Sequence, residues 1–373
     1  MDFYNYLQLN QWKTLSDEQK QEVFAGVLRF YLKPGTVVQN SRLVTFEMRG
    51  MKCRSFELEI NGESFVLIPG QKDTVLGWDF GSKGLQTSDL LEASLDLYLD
   101  QLRYQSKLST QELDSAMSES SFSDNDYDLT DLSEIDRYIN DLTTPLRKVD
   151  IPAMLVAKKA QPVGTFLLGA YESVTGVFKG NQEFLAKYQG ELETLFQPQL
   201  SLAESLTWSF PESSLKNNHY YIQQQEDNPD NYWLYGHELL DYGELWLTLH
   251  RSGFQLLSED CWEYAVGGGT RRLFRWGNEI DLESSHPFTG CQERVKAENM
   301  FGLKIPANQD SFELTDDVNI QKLSSFQLVA DSHKIEKILP LSSYYRSPRM
   351  SQLVGKLNPH HYSYRKGIII DPN

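Results

Sequence analysis

Cysteine is scarce in this sequence. Only three occur in 373 residues, Cys53, Cys261 and Cys291. Three cannot all pair within one chain, and they are too scattered for a disulfide framework. Positive charge is also short, with 35 Lys and Arg against 52 Asp and Glu and a net charge of −17. Such a chain repels phosphate backbones, which disfavours general binding of DNA or RNA. No stretch approaches the ~20 apolar residues of a membrane span, so no membrane partner is expected. The start, Met1-Asp2-Phe3-Tyr4-Asn5, has neither the basic nor the apolar region of a signal peptide, and the expected location is cytoplasmic.

Patterns that carry chemistry are equally thin. None of the seven histidines falls at metal-ligand spacing with a partner; His360 and His361 are adjacent and cannot share a helix face. Gly267-Gly268-Gly269-Thr270 has no following Gly-Lys-Ser/Thr and leaves a helix instead of entering one, so it is not a phosphate loop. There is no Gly-x-Ser-x-Gly elbow. Asp124, Asp126 and Asp128 alternate like the first ligands of a calcium loop. Leu129 and Ile135, however, stand where that loop needs Gly and Glu.

Aromatic residues are plentiful, with 19 Tyr, 19 Phe and 7 Trp, enough to fill a core that has few long regular elements. The length suits one large or two modest domains. Ser16 followed by Gln19 is a capping box, and Val23, Phe24, Val27, Leu28 and Tyr31 recur at helical spacing, so a helix is expected over 16–32. Strands are expected over 36–78, with Asn61-Gly62 as a two-residue hairpin turn. A second helix is expected over 88–106. Between 112 and 141, ten acids face one base, Arg137, which reads as a surface insertion. Strand character returns over 149–178, the chain from 179 to 230 reads as irregular and polar, and a helix is expected over 237–250 with Leu239, Leu240, Leu245 (or Tyr242), Trp246 and Leu249 inward. A basic end follows, with Arg346, Arg349, Lys356, Arg365 and Lys366.

The most informative stretch runs from Gly253 through Ser258-Glu259-Asp260-Cys261-Trp262-Glu263-Tyr264-Ala265 to Gly269, followed by Arg275-Trp276-Gly277-Asn278-Glu279. It resembles the signature of the formylglycine-generating-enzyme (sulfatase-modifying-factor) family. Weaker echoes are Phe65 to Gly70, Asn299 to Leu303, and Tyr364 to Ile370. The resemblance implies an α+β, C-type-lectin-like domain over 56–373 with much irregular chain, an acidic helical or loop insertion at 81–147, and an N-terminal helical and strand extension over 1–55. It also implies a degenerate member, a pseudoenzyme. The family's two late cysteines, which bind copper(I), have no counterpart after Cys291, and Cys261 replaces a Glu inside the helix motif. The His-x-x-x-His-x-Glu iron motif of the related sulfoxide synthases is missing too.

The expected function is a non-catalytic binding or assembly module for another protein or a peptide. Tyr344, Tyr345, Arg346 and Arg349 are the candidate binding residues, as aromatic and arginine side chains lining a groove. No catalytic or metal-binding residue is assigned and no cofactor is expected; calcium and copper have no supporting spacing. Two alternatives stand beside this. One is a metal-dependent oxidase using Cys261 and Cys291 or gathered histidines; the other is an accessory subunit whose acidic insert docks on a basic partner.

Overall fold

The computed structural model describes residues 3–85, 127–201, 213–216, 219–225, 228–277, 297–305, 311–323, 333–347 and 353–371. The expected helix over 88–106, the first half of the acidic run (to residue 126), Cys291 and Arg349 lie outside them.

Helix α1 (Asp17–Tyr31) starts where its capping box demands: the Gln19 N–H donates to Ser16 Oγ and the Ser16 N–H donates to Gln19 Oε1. It packs through Phe24, whose ring stacks on Phe56 at 4.0 Å. Three antiparallel strands follow, β1 (Val38–Met48), β2 (Met51–Ile60) and β3 (Glu63–Ile68). The β2–β3 turn has Asn61 at φ 52° and Gly62 at φ 84°, the left-handed pair that a tight hairpin requires. Strand β4 (Gln71–Leu76) pairs with β5 (Arg147–Ile151), and α2 (Leu132–Asp141) precedes β5 with Asp131 as its N-cap. Strand β6 (Ala153–Ala157) is buried along its whole length, as a central strand covered on both faces must be.

The chain then continues through β7 (Gln161–Pro162), β8 (Thr165–Glu172), β9 (Phe178–Gly180), α3 (Gln182–Phe196), β10 (Ser213–Lys216), β11 (Tyr220–Gln225), β12 (Asn228–His237) and α4 (Tyr242–Ser252). After these come β13 (Gln255–Leu256), α5 (Glu259–Gly267), β14 (Phe312–Leu314), β15 (Gln321–Lys322), α6 (Lys334–Ile338), β16 (Tyr362–Tyr364) and β17 (Lys366–Ile370).

Two compact units result. The first comprises Met1–Ala160, Leu249–Gln352 and Arg365–Asn373; the second comprises Gln161–Thr248 and Leu353–Tyr364. The first is built on a six-stranded sheet in the order β1-β2-β3-β6-β17-β13. Its last strand pairs with β6 through Ile368 and Leu155, so the end of the chain completes the middle of the sheet. Phe46, Val66, Ile68, Met154 and Val156 of this sheet pack with Trp262, Tyr264 and Val266 of α5. A separate cluster joins Ile135 and Ile139 of α2 to Phe274, Trp276, Ile335 and Tyr344.

The second unit is a five-stranded antiparallel sheet, β10-β11-β12-β8-β9. Alternation places Tyr220 and Ile222 of β11 and Tyr232 and Leu234 of β12 on one face, against Tyr188, Leu192 and Phe196 of α3. Asn181 caps α3, its Oδ1 accepting the Phe184 N–H at 3.1 Å.

The α+β class is as expected, and the sheets are built of antiparallel pairs among the described residues. The stretch 179–230, expected to be irregular, instead holds α3, β10, β11 and the start of β12 among its described residues. The helix expected from 237 starts at Tyr242, because β12 runs through His237. Leu239 and Trp246, expected inward, are 42% and 39% exposed. The boundary expected at residue 55 falls inside β2. No helix among the described residues is long and apolar enough to cross a membrane.

Candidate functional site

The side chains best suited to chemistry surround α5. Ser258 caps this helix, its Oγ accepting the Cys261 N–H at 3.2 Å, and Gly268 ends it at φ 64°. Lys322 Nζ lies 2.8 Å from Glu263 and 2.8 Å from Glu259. Arg147 reaches Glu263 at 2.9 Å and Asp260 at 2.5 Å, Arg346 reaches Glu259 at 2.5 Å, and Thr144 donates to Glu263 at 2.9 Å. Three acids thus meet three bases. Burial pushes the Glu259 carboxyl up, but the hydrogen bonds from Arg346 and Lys322 outweigh it and hold the group below the ordinary carboxylate range. A second buried pair lies nearby. The Trp262 Nε1–H donates to Glu313 at 2.8 Å, and Arg365 holds the same carboxylate at 3.0 Å. Tyr264 donates its hydroxyl hydrogen to the Pro69 carbonyl. Every polar group of the Trp-Glu-Tyr run is therefore engaged within the first unit, in roles any capped, buried helix would require.

The expected binding residues divide. Tyr344 and Tyr345 are 1% and 8% exposed, and the Tyr344 hydroxyl donates to the Thr270 carbonyl at 2.9 Å, so these rings belong to the core and do not line an open groove. Arg346 reaches solvent while paired with Glu259. Arg349 lies outside the described residues. Cys53 and Cys261 are free and buried, and burial pushes their thiols up to about 12 and about 11. A copper ligand or redox nucleophile needs the thiolate, which these surroundings oppose. Of the calcium-like residues, Asp128 accepts from the Thr130 N–H and hydroxyl, and Asp124 and Asp126 lie outside the described residues. No group of three or more His, Cys, Asp or Glu among the described residues is placed to hold a metal.

Among the described residues, two features open to solvent stand out. The first is a cleft of about 350 Å³ at the β1 end of the first unit's sheet, lined by Arg42, Phe46, Glu57, Lys158 and Glu298. Its charges are mutually paired: Lys158 lies 2.6 Å from Glu57 and 2.9 Å from Glu298, and Arg42 lies 2.7 Å from Glu57. Burial raises the Glu57 carboxyl, yet the bonds from Lys158 and Arg42 win and keep it low.

The second feature is apolar. Most of the large hydrophobic side chains exposed among the described residues fall in the second unit, although it holds the smaller share of the chain. Phe166, Leu167, Leu239, Trp246, Leu247 and Val354 are among them. Contiguous exposed apolar patches mark interaction surfaces, whereas singly scattered side chains need no explanation. Sequence reading missed this unit, yet a signal was present: Phe184, Tyr188, Leu192 and Phe196 recur every four residues after the Asn181 cap.

Comparison with known families corrects the resemblance drawn from the α5 motif. The family model that matches is a profilin-like domain of unknown function (DUF7278), over residues 166–236. This lies within the second unit and covers β8 to β12. No sulfatase-modifying-factor family matches. The C-type-lectin-like arrangement, implied by that resemblance alone, is not shown. No curated protein matches the chain.

Proposed function

We propose that this chain is a non-catalytic binding or assembly module, and that its second unit carries the surface that docks another protein or a peptide. The observation that carries this reading is the concentration of exposed large apolar side chains on that unit. The internal pairing of Glu259, Glu263, Lys322, Arg147 and Glu313 supports it further, since charges fixed to one another are poorly placed to serve a substrate. Free, buried thiols at Cys53 and Cys261 suit the reducing environment of the cytoplasm.

The test is site-specific photo-cross-linking in the native cell. A cross-linking residue at Val174 or Leu247, in the second unit, is expected to trap one discrete partner. The same residue at Val318, in the first unit, is expected to trap none. Adducts from Val318 alone, or no adduct at any position, would overturn the reading.

A further inference from the structure

Three chain segments of the second unit meet where β8 begins and β12 ends. The Glu238 N–H donates to the Gly164 carbonyl at 2.8 Å, and the Leu357 N–H donates to the Leu240 carbonyl at 2.8 Å. Phe166 pairs in register with Gly236, and a Cβ on Gly236 would stand 2.2 Å from the Phe166 ring, so only glycine leaves that ring its place. Each segment exposes apolar side chains: Phe166 at 48%, Leu239 at 42%, Trp246 at 39%, Leu247 at 47% and Val354 at 81%. Helix α4 shows how unusual this is. Its core side is taken by Leu245 and Leu249, both nearly fully buried, and Trp246 and Leu247 occupy positions that an ordinary amphipathic helix gives to polar residues.

The charges around these side chains are predominantly negative. Glu238, Asp241 and Glu244 stand beside them, and Asp241 and Glu244 cap α4 reciprocally at 2.9 Å. Lys356 is the single base in residues 238–247 and 353–358, and it is already held 2.5 Å from Glu244 and 3.6 Å from Asp241. The other bases of α4, His250 and Arg251, lie in its last turn. The rim therefore keeps excess negative charge. Nucleic acid or an anionic lipid surface would be repelled. A second copy of this chain would bring −17 of its own and set the same acids against themselves.

We propose that this junction docks a basic amphipathic segment of another protein, whose apolar side chains seat on Phe166, Leu239, Trp246, Leu247 and Val354 while its lysines or arginines face Glu238, Asp241 and Glu244. The inference rests on the docking role proposed above and names the place and the partner's chemistry.

The probe is a random-peptide display library selected on the full chain. Enriched peptides are expected to carry Lys or Arg together with aromatic or leucine residues at i, i+3 or i+4 spacing. Their binding should weaken about tenfold or more in Trp246→Ala and in Glu238→Lys, and should weaken with added salt, while both variants keep the wild-type unfolding midpoint. Acidic or uncharged winners, or affinities unchanged in both variants, would overturn the proposal. Pairing of two copies through Trp246 in sedimentation, or capture of anionic vesicles, would overturn it as well. Failure here while Val174 still cross-links a partner sinks this site and leaves the docking role standing; failure of both experiments sinks both.

Discussion

Lys322 Nζ lies 2.8 Å from Glu263 Oε1, and neither side chain exposes any surface. Taking two charges out of water is costly, and the pair persists because Glu259, Arg147 and Thr144 complete its hydrogen bonds. This arrangement is what holds α5 to the rest of the first unit's polar core.

Removing one member should therefore cost more than removing both. Lys322→Met leaves two buried carboxylates short of a base and is expected to destabilise the chain by about 3–5 kcal/mol in urea unfolding. Lys322→Met with Glu263→Gln should recover part of that loss. A single-mutant effect below about 1 kcal/mol would mean that solvent reaches the pair.

Acid should weaken the same cluster. Burial raises the Glu259 carboxyl, but its bonds to Arg346 and Lys322 hold it below the ordinary range. The unfolded chain thus takes up this proton more readily than the folded one. The stabilisation is full above the unfolded glutamate pKa and is lost as pH falls through the lower folded value. Thermal midpoints are expected to be level near neutrality and to fall in the acid range, with a shallower fall in Glu259→Gln. An acid limb unchanged in that variant would contradict this assignment.

The two described cysteines should be inert. With their thiols raised to about 12 and about 11, Cys53 and Cys261 are expected to resist a thiol-specific chromogenic reagent at neutral pH and to react fully once the chain unfolds. Prompt labelling of Cys261 in the folded protein, identified by peptide mapping, would show an exposed thiolate.

Close approach of β8 and β9 depends on glycine. A Cβ on Gly180 would stand 2.2 Å from the Leu168 carbonyl oxygen, a backbone atom that cannot move aside alone. Gly180→Ala is expected to cost about 1–3 kcal/mol, seen as faster amide exchange in Thr165–Glu172. Unchanged exchange there would mean that the strands separate without cost.

Local chemistry made part of this fold legible. Ser16 with Gln19 and Asn61-Gly62 each announce a cap or a turn through local backbone and side-chain chemistry, and both stand where expected. Burial set by distant contacts was not legible. Tyr344 and Tyr345 read as a groove but are core residues, because Thr270 and the Leu142 region close over that segment. Trp246 read as inward, yet the pair Leu245 and Leu249 already fills the core side of α4. The second unit was hidden by its composition: Gln, Glu and Lys between the apolar positions of α3 and short polar strands look like loop until the sheet brings Tyr220, Tyr232 and Phe196 together. Trp262-Glu263-Tyr264-Ala265 misled in the opposite direction, since its side chains meet needs common to buried helices and do not by themselves define a family.

Amide hydrogen exchange on the full chain, with and without the partner trapped by cross-linking, tests the central claim most directly. The account predicts slowed exchange confined to the second unit, strongest at 164–167, 238–247 and 353–357. Protection confined to the first unit, for example along β1 beside Arg42 and Glu57, would contradict it.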